Sequence, residues 1–507
     1  MKLKYIVGGL VASSLSLIVT SCSLDRDPLD SYSDVTQGET ESGKEVVFKD
    51  KAAVVSHLQS LYKIMMDRQE HWYLDLLLVA DAHSDNAYGG TTGAEVVPFE
   101  NNAVEGSNPV IARDWNCYLE DMAKANLLIC NIDSVKDQSL TPTERVQFTA
   151  EAKILRAMIL FDMVRLWGDI PVITTMADDI TAENIEDVYD QYFPEQTAEV
   201  DVYKQIESDL LDALQGAPNN DGGNKTLFTK SVARTILAKV YAEKPLRNYA
   251  KVIQYCDELA ADGFDLVDDF SDLFGMNAAG TDVKMRNTKE SILEAQFSTA
   301  NGNWVTWMFG RDLSNWNNSF TWAKWVTPSR DLINAYEEEG DNIRFDQSVV
   351  YYECSWSNYY PSNNYPFMYK CRSAYNSIIK YRYADVLLLK AEALIMQDAP
   401  NLSAAAEIID RVRSRAGLRP LSTTVKQSRE LMIEALLKER RLELAFEGQR
   451  WFDLVRLDKV EEVMNAVFAK DSGRKPLAYT FNKNSYRMPI PQSVIDTNDK
   501  IVQNPGY

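Results

Sequence analysis

Three histidines, His57, His71 and His83, are all that 507 residues contain, and none has the His-Glu-x-x-His spacing of a metal site. No Gly-x-Ser-x-Gly turn presents a serine nucleophile. The 74 Asp and Glu make a hydrolase-like carboxylate pair available by chance, so acid abundance carries no catalytic signal. The chain reads as no enzyme, with no cofactor; a structural Ca²⁺ is the one ion left open. Positive charge is also short. With 53 Lys and Arg the net charge is -21 and the pI near 4.7, a field that repels phosphates and anionic headgroups and argues against nucleic acid as a partner.

Long apolar runs are missing after the first twenty residues. Lys2 and Lys4 precede an uncharged stretch from Tyr5 to Thr20, too short to span a bilayer comfortably and shaped like a secretory signal. Val19-Thr20-Ser21-Cys22 reads as a lipobox, with Cys22 as the lipidated residue and 1-21 as the signal peptide. Residues 22-45 are acidic and nearly free of aliphatics, which reads as a solvated tether. Gly38 to Lys44 has Walker A spacing, but Glu45 stands where Mg²⁺ needs Ser or Thr, and Glu39 and Glu41 would repel phosphates, so it is rejected.

Six cysteines leave five after Cys22. Cys117 and Cys130 lie thirteen positions apart on one predicted helix, about 20 Å and beyond disulfide reach, and read as buried thiols. Cys354 and Cys371 flank an aromatic excursion in an exported chain and are placed either to bridge it or to stay free.

What the chain has in quantity is helix pattern. Spacing predicts helices over 52-67, 113-131, 143-166 and 200-214, then short-turn pairs 230-242 with 248-261 and 381-396 with 403-416, Gly417 ending the last. Ala233, Leu237, Ala238 and Tyr241 place small residues and an aromatic as tetratricopeptide-type stacking needs, which implies an irregular solenoid.

One hexapeptide is nearly written twice: Phe-Asp-Met-Val-Arg-Leu at 161-166 and Phe-Asp-Leu-Val-Arg-Leu at 452-457. The first follows Glu-Ala-Lys-Ile-Leu-Arg-Ala-Met-Ile-Leu and leads into Trp167-Gly168-Asp169-Ile170-Pro171. The second follows a run in which Ile433, Leu437, Leu444, Trp451 and Val455 form one helix face, with Arg440–Glu443 and Glu447–Arg450 as i,i+3 pairs. These cassettes are read as scaffold rather than ligand contact. With Ser84 to Gly90, Trp115 to Asn126, Ile379 to Leu387, Pro489-Ile490-Pro491 and the terminal Gln503 to Tyr507, they resemble signatures of the SusD/RagB family of outer-membrane nutrient-binding lipoproteins across nearly the whole mature chain. The resemblance implies a mainly α, SusD-like fold of tetratricopeptide-like helix pairs with a loop-rich, aromatic-rich ligand-binding lobe. It places a single domain at 46-507, with a helical framework over 46-270 and 375-470 and a variable excursion at 271-374. It further implies a lipid-anchored, cell-surface protein of the outer membrane that captures oligosaccharide, less often peptide, and passes it to a SusC-like TonB-dependent transporter. The alternative is a peptide-binding relative or a helical-repeat interaction scaffold.

Substrate reading points to 300-370, where Trp304, Trp307, Trp316, Trp322, Trp325 and Trp356 gather six of ten tryptophans. Flat rings stack on sugar C–H faces and Asn, Asp or Arg hold neighbouring hydroxyls. The candidate ligand contacts are Trp304, Trp307, Trp316, Trp322 and Trp325 with Arg311, Asn317 and Tyr359. The family resemblance adds a second wall in the loop from Tyr88 to Gly106, where Tyr88, Glu100, Asn101 and Asn102 are candidates and the absence of tryptophan departs from the starch-binding pattern.

Overall fold

The computed structural model describes residues 47–507 apart from 91–92, 179, 181–183, 220–222, 299–300, 306–324 and 355–357. Contacts divide the chain between Lys49 and Asp50; the signal, Cys22 and the tether lie outside the described residues, and the body is Asp50–Tyr507. No described helix is long and apolar enough to cross a membrane.

The body is mainly helical. α1 (Lys51–Asp67) is followed by two π-helical turns, Glu70–Leu74 and Leu78–Ala82, whose side chains are almost all buried. Then come α2 (Pro109–Asn131), α3 (Pro142–Trp167), α4 (Glu199–Gly216), α5 (Lys230–Ala242) and α6 (Tyr249–Ala261). Local chemistry starts and stops them. Thr141 and Glu144 form a capping box with Pro142 in the first turn of α3, and Gly168, at φ 77°, ends it. Asn108 caps α2 before Pro109 by accepting from Val110 N–H at 2.9 Å.

Each of these helices packs on the next, α2 on α3, α3 on α4, α4 on α5 and α5 on α6. The series resumes after residue 380 with α9 (Tyr383–Met396), which packs directly on α6, and with α10 (Leu402–Arg415). Between them the chain forms α7 (Arg330–Glu339), α8 (Asn342–Ser348) and five short strands, which with one strand that precedes α2 make three two-stranded antiparallel sheets among the described residues. β1 (Ala87–Tyr88) pairs with β3 (Thr327–Pro328), β2 (Ser291–Ala295) with β6 (Ile378–Arg382), and β4 (Val349–Tyr352) with β5 (Tyr365–Met368). Residues 381 and 382, expected to open a helix, belong to β6: Tyr381 pairs with Leu293 and Arg382 with Ser291, so the helix starts at Tyr383.

The second cassette is also redrawn. α11 (Arg429–Leu444) stops before Phe446, whose φ is 62°, and α12 (Arg450–Arg456) starts afresh before α13 (Val460–Lys470). One continuous face from Ile433 to Val455 therefore does not exist, and neither expected i,i+3 pair forms. Arg440 bonds Asp385 and Asp453 at 2.7 and 2.8 Å, while Arg450 bonds Asp85 at 2.7 Å. Glu443 receives Arg344, Arg382 and Arg415, and Glu447 receives Lys370 and Arg382. Burial would push the Glu443 and Asp385 carboxyls up, but the guanidinium groups around Glu443, and the Lys239 ammonium with the Arg440 guanidinium beside Asp385, hold both well below the usual carboxylate range. Such a lattice adds little net stability over an apolar core, yet removing one member strands a buried charge.

Candidate ligand-binding surface

Strand β1 delivers Tyr88 to the centre of an aromatic joint. Its register partner is Thr327, and its ring stacks on Tyr359 at 4.5 Å and 9°, with Tyr360 tilted at 6.0 Å. The Tyr88 hydroxyl donates to Asp471 Oδ2 at 2.6 Å and accepts from the Arg330 backbone N–H at 3.0 Å. Burial and the Asp471 bond push this phenol up to about 12. Tyr359 donates to Glu100, whose carboxylate also accepts from the backbone N–H groups of Gly89 at 2.8 Å and Lys475 at 3.0 Å. The guanidinium of Arg330 covers Tyr360 at 4.4 Å, and that of Arg474 lies 5.1 Å from Tyr88.

Tyr88 and Tyr359 are thus not sugar platforms. Both are buried, and each covers a ring face of the other. They tie the 87–100 loop, the 358–360 turn, the start of α7 and the 471–475 segment into one joint. Asn101 is half-buried beside it and its carbonyl accepts from Ala478 N–H at 2.9 Å, while Asn102, at φ 58°, donates through Nδ2 to the Tyr479 carbonyl at 2.9 Å. His83 hydrogen-bonds the Phe99 carbonyl through Nδ1 at 2.5 Å, and burial pushes its imidazole down to about 4, so it is a neutral donor.

Trp304 is different. It is 42% exposed, on a stiff backbone: its N–H donates to buried Gln69 at 2.8 Å, and Asn303 caps Val305 N–H at 2.8 Å while donating to the Asn376 carbonyl at 2.9 Å. A large ring held out from an ordered shelf is the geometry that stacking on a sugar requires. Trp325 is half-buried two residues before β3. Trp307, Arg311, Trp316, Asn317, Trp322 and Trp356 lie outside the described residues. No disulfide joins Cys354 to Cys371, and Cys130 is exposed rather than buried because its face of α2 points away from the core.

A feature absent from the sequence reading adjoins the joint. α7, α11, α13 and the 471–473 turn enclose a groove of about 820 Å³. Its floor holds Arg441–Asp331 at 2.8 Å and Lys470–Asp331 at 2.9 Å, and Glu338, Glu434 and Glu462 stand along it. No aromatic ring lines it among the described residues. Three chain segments more than a hundred residues apart at their extremes build this groove, so no local pattern announces it. No three His, Cys, Asp or Glu side chains converge as a metal site among the described residues.

A stacked-helix frame with a strand-stitched excursion defines a helical scaffold of the solenoid class. The chain belongs to the SusD/RagB family. Residues 363–507 match the SusD family model, and residues 29–242 match a model described as starch-binding associating with outer membrane. The SusD-like protein P2 of Formosa agariphila is 26% identical, over 91% of this chain and 94% of its own length. Among solved structures, a SusD-like protein from Bacteroides fragilis superposes with a TM-score of 0.71 at 21% identity, covering 95% of this chain and 100% of that one. Surface glycan-binding protein A from Bacteroides thetaiotaomicron, in complex with laminarihexaose, superposes at 0.70 and 18% identity, covering 90% and 100%. These likenesses confirm the mainly helical SusD-like fold.

Proposed function

We propose that this protein is a lipid-anchored, cell-surface glycan-binding protein of the outer membrane that captures oligosaccharide and passes it, uncleaved, to a SusC-like TonB-dependent transporter. The observation that carries the reading is Trp304, exposed on a backbone fixed by Gln69 and Asn303. Family membership and the laminarihexaose bound by a structural neighbour support it. Cys22 is the proposed anchor, and Cys22→Ala is expected to release the protein from membrane fractions; retention at parental levels would remove the anchor from the proposal.

Titration against a panel of neutral and acidic glycans, laminarihexaose included, tests the capture step. At least one glycan is expected to bind without release of reducing ends, and Trp304→Ala is expected to lower its affinity about tenfold with an unchanged melting temperature. An early-melting Trp304→Ala variant that binds normally would show packing instead. The charged, ring-free groove favours a second reading, capture of a peptide of mixed charge. Charged peptides in the same panel decide it: binding of peptides and of no glycan would replace the first reading.

A further inference from the structure

Where the two cassettes meet, a partly open cavity of about 60 Å³ has an unusual wall. Four cations line it, Arg165, Lys239, Lys370 and Lys380, against one carboxylate, Glu447. Each cation is already paired, Lys239 with Asp385 at 2.6 Å, Lys380 and Arg165 with Asp162 at 2.8 and 2.5 Å, and Lys370 with Glu447 at 2.5 Å, but Asp385 and Asp162 are not part of this wall. Tyr73 and Tyr381 stand on the polar side beside Ser377 and Gln449; both tyrosines are only 4% exposed, and neither phenol hydroxyl has a hydrogen-bond partner among the described residues. Two buried O–H donors without an acceptor are costly. Burial raises both phenols and lowers all three lysines from their ordinary values, the second effect only partly offset by their carboxylates.

We infer that this cavity is a binding site for one monovalent anion of halide size, held by the Tyr73 and Tyr381 hydroxyls in the field of the surrounding lysines. The volume suits one such ion or about two waters. Leu76, Leu77, Phe274, Ile379 and Phe446 are among the apolar residues of the wall, which favours a weakly hydrated halide over a polyvalent, strongly hydrated anion. Because Arg165 comes from the first cassette and Glu447 from the connector into the second, the ion stabilises the fold where they join. This inference is independent of the glycan reading.

The test uses the purified full chain. Melting is followed while chloride replaces gluconate at constant ionic strength, and crystals soaked in sodium bromide are examined by anomalous diffraction. The expected result is a rise that grows with the logarithm of chloride above Kd, on the order of 3 °C at a hundredfold excess, with a bromide peak within hydrogen-bond reach of both hydroxyls. Tyr381→Phe is expected to move the onset of the rise to several-fold higher chloride, and Tyr73→Phe serves if that variant fails to fold. A cavity holding water alone overturns the inference. So does a bromide peak with no rise in melting temperature as chloride replaces gluconate, which would be binding at crystal concentration only.

Discussion

In the first copy of the repeated hexapeptide, Asp162 bonds its own Arg165 at 2.5 Å and Lys380 at 2.8 Å; in the second, Asp453 bonds its own Arg456 at 2.7 Å and Arg440 at 2.8 Å. The internal i,i+3 pair is the same, although one copy closes a 26-residue helix and the other fills a helix of seven. The outer partners differ. Arg456 also binds both oxygens of Glu392, at 2.8 and 2.7 Å, and Arg440 keeps Asp385, so the second copy sits in a redundant lattice. Arg165 lies instead between the rings of Phe161 and Phe452, at 4.1 Å from each, so the first copy is clamped by a ring of the second. A short sequence thus dictates its own pairing, while tertiary packing decides how many spare partners that pair has.

Redundancy predicts the largest effect. Asp162→Asn strips the carboxylate from both Arg165 and Lys380 and is expected to cost about 3–5 kcal/mol in chemical unfolding. Asp453→Asn leaves Arg440 with Asp385 and Arg456 with Glu392, and is expected to cost about half as much. Equal costs, or the reverse order, would break the comparison.

Acidity separates the approaches to the two copies next. Asp162 and Asp453 are held below their ordinary range despite burial, by the cations they bond. Their stabilisation is present above the unfolded value and is lost as pH falls through the lower folded one. Asp81 accepts from Phe446 N–H at 3.0 Å in the connector to the second copy and from Asn86 Nδ2 at 2.8 Å, and burial pushes it up to about 6. Its contribution has the opposite sign, full below about pH 4 and lost as pH rises through about 6. Asp81→Asn keeps an acceptor for both donors. Relative to the parent, its unfolding free energy is expected to gain up to about 3 kcal/mol between pH 4 and 7; a parallel pair of pH curves would show that Asp81 titrates normally.

The smallest effect sharpens the clamp. Arg165→Lys keeps the charge but loses the flat stack, at about 1–2 kcal/mol. A double-mutant cycle with Phe452→Leu is expected to show coupling near 1 kcal/mol for Arg165 and none for Arg456. Coupling to both arginines would mean that Phe452 acts through general packing.

The helices of the frame were legible because their apolar spacing and caps are local: 230–242 matches α5 at both ends, and Gly417, at φ 72°, closes α10 as expected. The switch at 381–382 was not, because β6 is defined by Ser291 to Ala295, some ninety residues earlier. The charge partners failed for the same reason. Arg440 and Glu443 share a helix, yet each turns to carboxylates or guanidinium groups brought by other segments. For the candidate site, the sequence located aromatic clusters but not which ring faces are covered, so Trp304 and Tyr88 looked alike and proved opposite.

The pairing of Ala295 with Ile378 carries a consequence of its own. The chain leaves the frame and re-enters it at adjacent points, roughly 5 Å apart as paired strands are, so everything between is an insert whose two ends are already joined. A second closure nests within it, where Tyr352 pairs with Tyr365. Once the ends of a segment are fixed together, added length costs only with its logarithm, about 0.6 kcal/mol per doubling. Residues can therefore be added at either closure at little thermodynamic cost to the helices, provided Asp331, Arg344 and Tyr359 keep their buried partners outside the insert, which allows descendants of one frame to diverge in what they hold while folding alike.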